Sequence, residues 1–344
     1  MSLDVFLNEL HKKYGKVILP GKDIKGLEIR SVFSGILGID IATGGIPLGR
    51  DILYFGLPQT CKSTLALKNA AVLQRVMNKP VMIIDTEGSY THDYATHCGL
   101  DIDGVYLSDP QSLEEAGDVA EATILSNEFS CVILDSVSAR ETGREIEKSL
   151  SLDKNENMLR AAVTNRIYRK CARASGRLGK MSSDPNHTVF IACSHIYEKP
   201  GQFVTSHVMP GGHGKEFQAS LIIKLSGGQR IKSGDEIVGK TIQWQVTKSK
   251  ISPPDMVGAF DFYYQSVGNL VAPCVNTADE VLRHCELNGM ITRIGNKYTL
   301  TDHFEDLKKS ETINYLTNNQ RLIEELYSKL YSLSGFSHRL WGGA

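Results

Sequence analysis

The chain has 344 residues, 41% apolar and 22% charged, with 38 Lys plus Arg against 39 Asp plus Glu. This composition excludes collagen-like, disordered and fibrous classes and is ample for a buried core. A net charge of −1 excludes a bulk basic protein, so any nucleic-acid binding must come from a local basic face or from assembly. In chain order, Leu3, Phe6, Leu7 and Leu10 fall on one face of an amphipathic helix over residues 1–14. Such a helix is unstable alone and precedes a Gly/Lys-rich stretch from Gly15 to Gly26, so it must dock on its own core or on a neighbouring subunit. From about Leu27, short apolar strands alternate with longer helical segments. The predicted strands are Asp51–Phe55, Val81–Asp85, Cys131–Asp135, Thr188–Ser194, Leu221–Leu225 and Ile242–Lys248. The predicted helices are Ser63–Met77, Tyr90–Cys98, Ser112–Ser126 and Met158–Leu178. This order predicts an α/β fold with a sheet that is parallel in its first part and covered on both faces. Later strands, from about 219 to 265, follow without long helices and predict an antiparallel extension. Residues 272–344 read as a small C-terminal α/β unit around a Lys297–Leu300 strand, which divides the chain into 1–30, 31–271 and 272–344.

The seven cysteines form no CxxC pair, and Cys131 and Cys193 sit inside apolar strands. That usage points to a reducing compartment, with neither a disulfide frame nor a zinc site. The longest apolar runs fall far short of a membrane span, and the N-terminus lacks the apolar core of a signal peptide.

The strongest chemical signal is Gly56-Leu-Pro58-Gln59-Thr60-Cys61-Lys62-Ser63-Thr64, which follows an apolar strand and opens a helix. A phosphate-binding loop requires this setting, because backbone N–H groups and the helix N-terminus cradle phosphates there. Lys62 would reach the β- and γ-phosphates and the Ser63 hydroxyl would ligate Mg²⁺. Cys61 replaces the second glycine of the usual pattern; it is either a packing substitution or, beside Lys62, a redox group. Two further strands end in acid, at Asp85-Thr-Glu87 and at Asp135-Ser136. In doubly wound sheets the strand C-termini face the ligand, so Asp135 would hold the Mg²⁺ water shell and Glu87 would orient the attacking water.

Residues 160–180 carry Arg160, Arg166, Arg169, Lys170, Arg173, Arg177 and Lys180 with no acid, and Ile167, Cys171, Ala174 and Leu178 form the buried stripe opposite. The basic face is either solvated or a sequence-independent phosphate contact. The Gly/Pro-containing segment Ile196–Gly212 is long for a loop in a compact domain and carries Lys199 and Phe203.

Together these residues resemble the RecA-type DNA recombinases, and the phage branch most. The resemblance runs from about Phe33 to Asn296. It rests on Ser34-Gly-Ile-Leu-Gly-Ile-Asp40 through Gly49-Arg50, on Asp85-Thr-Glu87 with Tyr94, and on Pro210-Gly211-Gly212 followed by Phe217. The last element is Thr247-Lys248-Ser249-Lys250-Ile251. It implies a RecA-type P-loop ATPase core that uses ATP and Mg²⁺. Glu87 is then the general base, and Tyr94 stacks on adenine unless it is a helix core aromatic. His195, in Ser194-His195, senses the γ-phosphate unless it is an ordinary loop histidine. Lys248 and Lys250, on one side of a strand, would reach the nucleotide of the neighbouring subunit unless they are a solvated edge. DNA would meet Asn165, Arg169 and Arg173, and a second loop, disordered without DNA, containing Lys199, Phe203, Gly211 and Gly212. The first loop would be about 149–157. The implied partners are single-stranded and homologous duplex DNA, further copies in a helical filament, and single-strand-binding and mediator proteins. The implied location is the cytoplasm, that of a bacterial host for a phage gene. Ser337-His-Arg-Leu-Trp341 is not the acidic tail common in bacterial members. Two rivals differ in outcome: a ring-forming helicase or loader, and a non-hydrolysing scaffold favoured by Cys61.

Overall fold

The computed structural model describes residues 2–14, 28–147, 156–177, 186–199, 206–208 and 219–340. Helix α1 (Leu3–Tyr14) comes first. A ribbon of β1 (Ser31–Val32) and β2 (Ile46–Pro47) brackets α2 (Leu37–Thr43). The core then alternates β3 (Asp51–Gly56), α3 (Lys62–Met77), β4 (Val81–Asp85), α4 (His92–His97), β5 (Val105–Ser108), α5 (Leu113–Ser126) and β6 (Cys131–Asp135). After α6 (Gly143–Ile146) and α7 (Glu156–Ala172) come β7 (Val189–His195), β8 (Tyr197–Lys199) and β9 (Ser206–Val208). The extension is β10 (Leu221–Ser233), β11 (Glu236–Ser249), β12 (Val257–Tyr263) and β13 (Cys274–Val275). Nine strands make one sheet in the order β13-β12-β11-β10-β3-β7-β6-β4-β5. Pairs from β10 to β5 through β3 are parallel, and those from β10 to β13 are antiparallel.

Side-chain alternation along β3 builds two cores at once. Ile52 and Tyr54 pack with Leu65, Ala66, Ala70 and Leu73 of α3 on one face. Leu53 and Phe55 pack on the other with Ala116, Ala120 and Ile124 of α5, with Ile167 and Cys171 of α7 and with Ala174 just after it. Helices α5 and α7 approach closely because residue 117 is glycine: a Cβ there would lie 2.5 Å from Cγ1 of Ile167. A third core joins Leu37 of α2 to the C-terminal unit. That unit contains α8 (Thr277–Leu287), the sheet β14 (Thr292–Ile294), β15 (Lys297–Leu300) and β16 (Phe304–Lys308), then α9 (Lys309–Thr317) and α10 (Gln320–Leu333).

Several expectations change. The central sheet gains β5, a four-residue edge strand whose Tyr106 and Leu107 are half exposed, too short for an alternation signal. The β10–β11 hairpin runs through Gly227-Gly228, where the ladder register shifts; a glycine pair reads as a turn but here makes a bulge. Helix 90–98 shortens to α4, capped by the Thr91 hydroxyl. The basic helix stops at Ala172 and continues as a π-turn over Arg173–Arg177. Strand β11 ends at Ser249, so Lys250 lies beyond the strand and does not share a strand face with Lys248. Segment 196–212 is not wholly irregular, since Tyr197–Lys199 pairs with Ser206–Val208. Arg177 is described only in its backbone. Phe203, Gly211, Gly212, Leu178, Lys180 and most of 149–157 lie outside the described residues.

Candidate nucleotide site

Strands β3, β4, β6 and β7 are parallel and neighbouring, so their C-terminal ends open into one cleft of about 430 Å³. The cleft is lined by Pro58 through Thr64, by Asp85, Glu87, Tyr90 and Tyr94, and by Asp135 and His195. Gly56 stands at the end of β3, where a Cβ would collide with the Leu225 carbonyl and lie 2.8 Å from the Thr60 hydroxyl. The Thr60 hydroxyl in turn donates to the Leu57 carbonyl at 2.8 Å, which ties the loop to itself. Cys61 is the N-cap of α3 and holds φ 64°, the left-handed conformation that favours the glycine it replaces. Its thiol is pushed up to about 12 by burial, which disfavours the thiolate. All seven cysteines are free thiols.

Lys62 is buried, and its Nζ donates to the Leu57 carbonyl at 2.9 Å. Burial lowers its affinity for the proton, while nearby Asp135 and Glu87 oppose that shift. The Ser63 hydroxyl bonds the buried Asp135 carboxyl, which is raised first by burial and further by Glu87 and Asp85. A hydroxyl beside crowded carboxylates is an all-oxygen donor set that suits Mg²⁺, and the cation would relieve the crowding.

The Glu87 and His195 side chains meet at 2.7 Å (Oε1 to Nε2), each 28% exposed. His195 closes β7 and leads through Ile196 straight into β8, so it is a strand-end residue rather than a loop histidine. Asp85 has a role that sequence reading missed. Its Oδ1 accepts the N–H groups of Glu87, Gly88 and Ser89 and its Oδ2 that of Tyr90, at 2.9–3.2 Å. Asp85 thus shapes the loop that presents Glu87; the signal was its place two residues before Glu87. Tyr94 is 39% exposed and its hydroxyl lies 2.7 Å from that of Thr64, so it lines the cleft and is not a core aromatic. Tyr90 is a second aromatic in the wall, also unforeseen.

Not every expected residue converges here. Lys248 lies opposite Ile222, which lies opposite Leu53 in mid β3. Lys250 acts electrostatically on Asp51, at the start of β3. At about 3.3 Å per residue, the five steps from Asp51 to Gly56 put Lys250 roughly 17 Å along the sheet from the phosphate loop of its own chain. On α7, Lys170 pairs with Asp118 (2.8 Å) and Glu121 (2.6 Å), Arg160 with Glu145 (3.0 Å), and Arg173 weakly with Glu121 (3.7 Å). The acid-free run is therefore partly neutralised from α5 and α6, a correction the linear sequence could not supply. Arg166 and Arg169 are exposed, and Asn165 keeps its Oδ1 buried without a partner. Lys199 is described only in its backbone.

A mostly parallel sheet with a phosphate-type loop and carboxylates at adjoining strand ends, and an antiparallel extension beside them, defines the class of a P-loop α/β protein. The family model of the RecA N-terminal domain matches residues 1–268. The RecA protein of Aquifex pyrophilus is 28% identical over 338 residues, covering 97% of this chain and 92% of its own. That of Acholeplasma laidlawii is 30% identical over 334 residues (96% and 95%), and that of Ruminococcus albus 28% over 337 residues (97% and 80%). The chain belongs to the RecA family, and with it to the DNA-dependent ATPases that use ATP and Mg²⁺, polymerise on single-stranded DNA and exchange strands with duplex DNA. No helix among the described residues is long and apolar enough to cross a membrane.

Proposed function

We infer that the protein is an ATP-driven homologous-recombination protein whose ATPase site is the cleft around Lys62. The observation that carries this reading is the 2.7 Å contact between Glu87 and His195 at the cleft mouth, with His195 leading into the β8–β9 segment. Glu87 takes a proton from water as its oxygen attacks the γ-phosphorus, and the bridging oxygen leaves with ADP. Lys62 holds the β- and γ-phosphates, and Tyr94 stacks on the base. Ser63 and Asp135 would hold Mg²⁺, which supplies charge neutralisation for the phosphates. His195 releases Glu87 when it meets the γ-phosphate and so couples nucleotide state to the DNA-facing segment.

A filament follows from two observations. Lys248 and Lys250 lie away from their own phosphate loop, so their role is on a neighbour's nucleotide. Helix α1 has no buried residue and leaves Leu3 69% and Phe6 47% exposed, a face for the next subunit. The division into 1–30, 31–271 and 272–344 is our domain assignment, supported by the separate third core. DNA contact is assigned to Asn165, Arg169 and Arg173 and to the segment with Lys199, Phe203, Gly211 and Gly212. The phage branch is our finer placement, carried by the sequence resemblance alone.

The test is ATP hydrolysis with and without single-stranded DNA, with Lys62→Ala as control. Stimulation by DNA that disappears in the variant supports the reading. ATP-gated DNA binding without hydrolysis would instead favour the scaffold. Closed rings in electron micrographs of the DNA complex would favour the helicase.

A further inference from the structure

Strand β11 reaches past the end of β3 on the side of α3. Gly56, the last residue of β3, lies opposite Leu225 of β10, and Leu225 lies opposite Trp244 of β11. Ile242 and Trp244 point into the core that α3 covers, and alternation puts Lys240 on that face, two residues further out. Its register partner on β12, Phe262, belongs to the same core and confirms the side. Lys240 therefore stands beyond the tip of β3, where the phosphate loop turns into α3.

Three features set this lysine apart. Its ammonium lies over Gly227, where a Cβ would collide with Nζ and Cε, so the glycine opens a lane for it. It faces Arg230 across the antiparallel ladder, and like charges so placed repel unless an anion joins them. Neither side chain has an ion pair or hydrogen bond among the described residues, although Lys240 is half buried.

We propose that Lys240 is a second lysine for the nucleotide phosphates, acting within the same subunit from the β10–β11 flank. Glu87 and His195 approach from the β4 and β7 flank, so the phosphates would be held between the two sides of β3. Lys240 differs from Lys248, at the far end of β11, and from Lys250 just past it, both away from the loop. The proposal rests on the phosphate-loop reading of Gly56–Thr64.

Calorimetric titration of the full chain with ADP and with adenosine, in Mg²⁺, tests both together. Lys240→Met is expected to weaken ADP about tenfold, the scale of one lost charge-assisted hydrogen bond, and to leave adenosine unchanged. Lys240→Arg should restore ADP to within about twofold of wild type. Far-UV circular dichroism checks the fold, with Lys240→Gln as the second neutral variant. Lys240→Met binding ADP like wild type while Lys62→Ala does not would overturn the proposal and leave the loop reading standing. Equal weakening of ADP and adenosine would overturn it too, as a general distortion. If Lys62→Ala itself bound ADP like wild type, the loop reading would fall and the proposal with it.

Discussion

The nucleotide cleft and the outer face of α7 both present cations, but the cations are held differently. On α7, Lys170 and Arg160 are tied to Asp118, Glu121 and Glu145 on neighbouring elements. In the cleft, Lys62 rests on a backbone carbonyl; Lys240, beyond the tip of β3, has no carboxylate partner among the described residues. A lysine on a carbonyl gives it up readily to a phosphate, whereas one between two carboxylates does not. The contrast shows that a count of charge along a helix is not the charge free to meet an anion. On α7 that free charge reduces to Arg166, Arg169 and, in part, Arg173.

The largest expected effect is in the cleft. Glu87→Gln should cut DNA-stimulated ATP turnover about 10²–10⁴-fold, the usual worth of a general base, while nucleotide binding stays near wild type. Phosphate-release kinetics would measure it, and a variant with a tenth of the normal rate would remove Glu87 from that role.

A buried carboxylate with no ion pair among the described residues sharpens the comparison by reversing its sign. Glu280 is 1% exposed and accepts the Leu37 and Gly38 N–H groups at 3.3 and 3.4 Å. Burial pushes its carboxyl up to about 8, and that of neighbouring Asp40 to about 6. A raised carboxyl favours the protonated fold. The stability it contributes is full below the ordinary value of 4.5 and is lost as pH rises through about 8. Glu280→Gln should therefore match wild type near pH 5 and exceed it by about 1–3 kcal/mol at pH 8 in urea unfolding. A gap that does not change with pH would count against the buried charge.

On α7 the contrast can be broken directly. Arg169→Ala should flatten the salt dependence of single-stranded DNA binding by about 0.7 in log–log slope, and Lys170→Ala should leave it unchanged. Equal losses in both would show that the Asp118 and Glu121 pairs do not withhold Lys170 from DNA.

The smallest effect belongs to Cys61. Cys61→Gly should relieve the left-handed strain and stabilise the fold by about 1 kcal/mol, less what is lost in packing, as read from the urea midpoint. A destabilised variant would show that the thiol packs better than its backbone suits it.

Much of this was legible in one dimension because the signals are local. Gly56 through Thr64 announces itself by spacing, and Val81–Asp85 and Cys131–Asp135 by four apolar residues before an acid; all three strands fall where expected. The buried stripe of Ile167, Cys171 and Ala174 follows from helical period alone. Tyr90, β5 and the bulged half of the β10–β11 hairpin were not legible, since each depends on neighbours distant in sequence. The part Asp85 plays was not legible either, because its four N–H partners meet it only when the loop closes around it.

The sequence by itself determined the α/β class, the phosphate loop, the strand-end acids and the family, because periodicity and motif spacing are properties of the chain. Only the tertiary structure decided that Glu87 touches His195, that Lys170 is spent on α5, that Lys250 lies away from its own loop and that Lys240 stands beyond the tip of β3. Those facts depend on strand order and register, which bring together residues 50 to 180 positions apart and which no local pattern encodes.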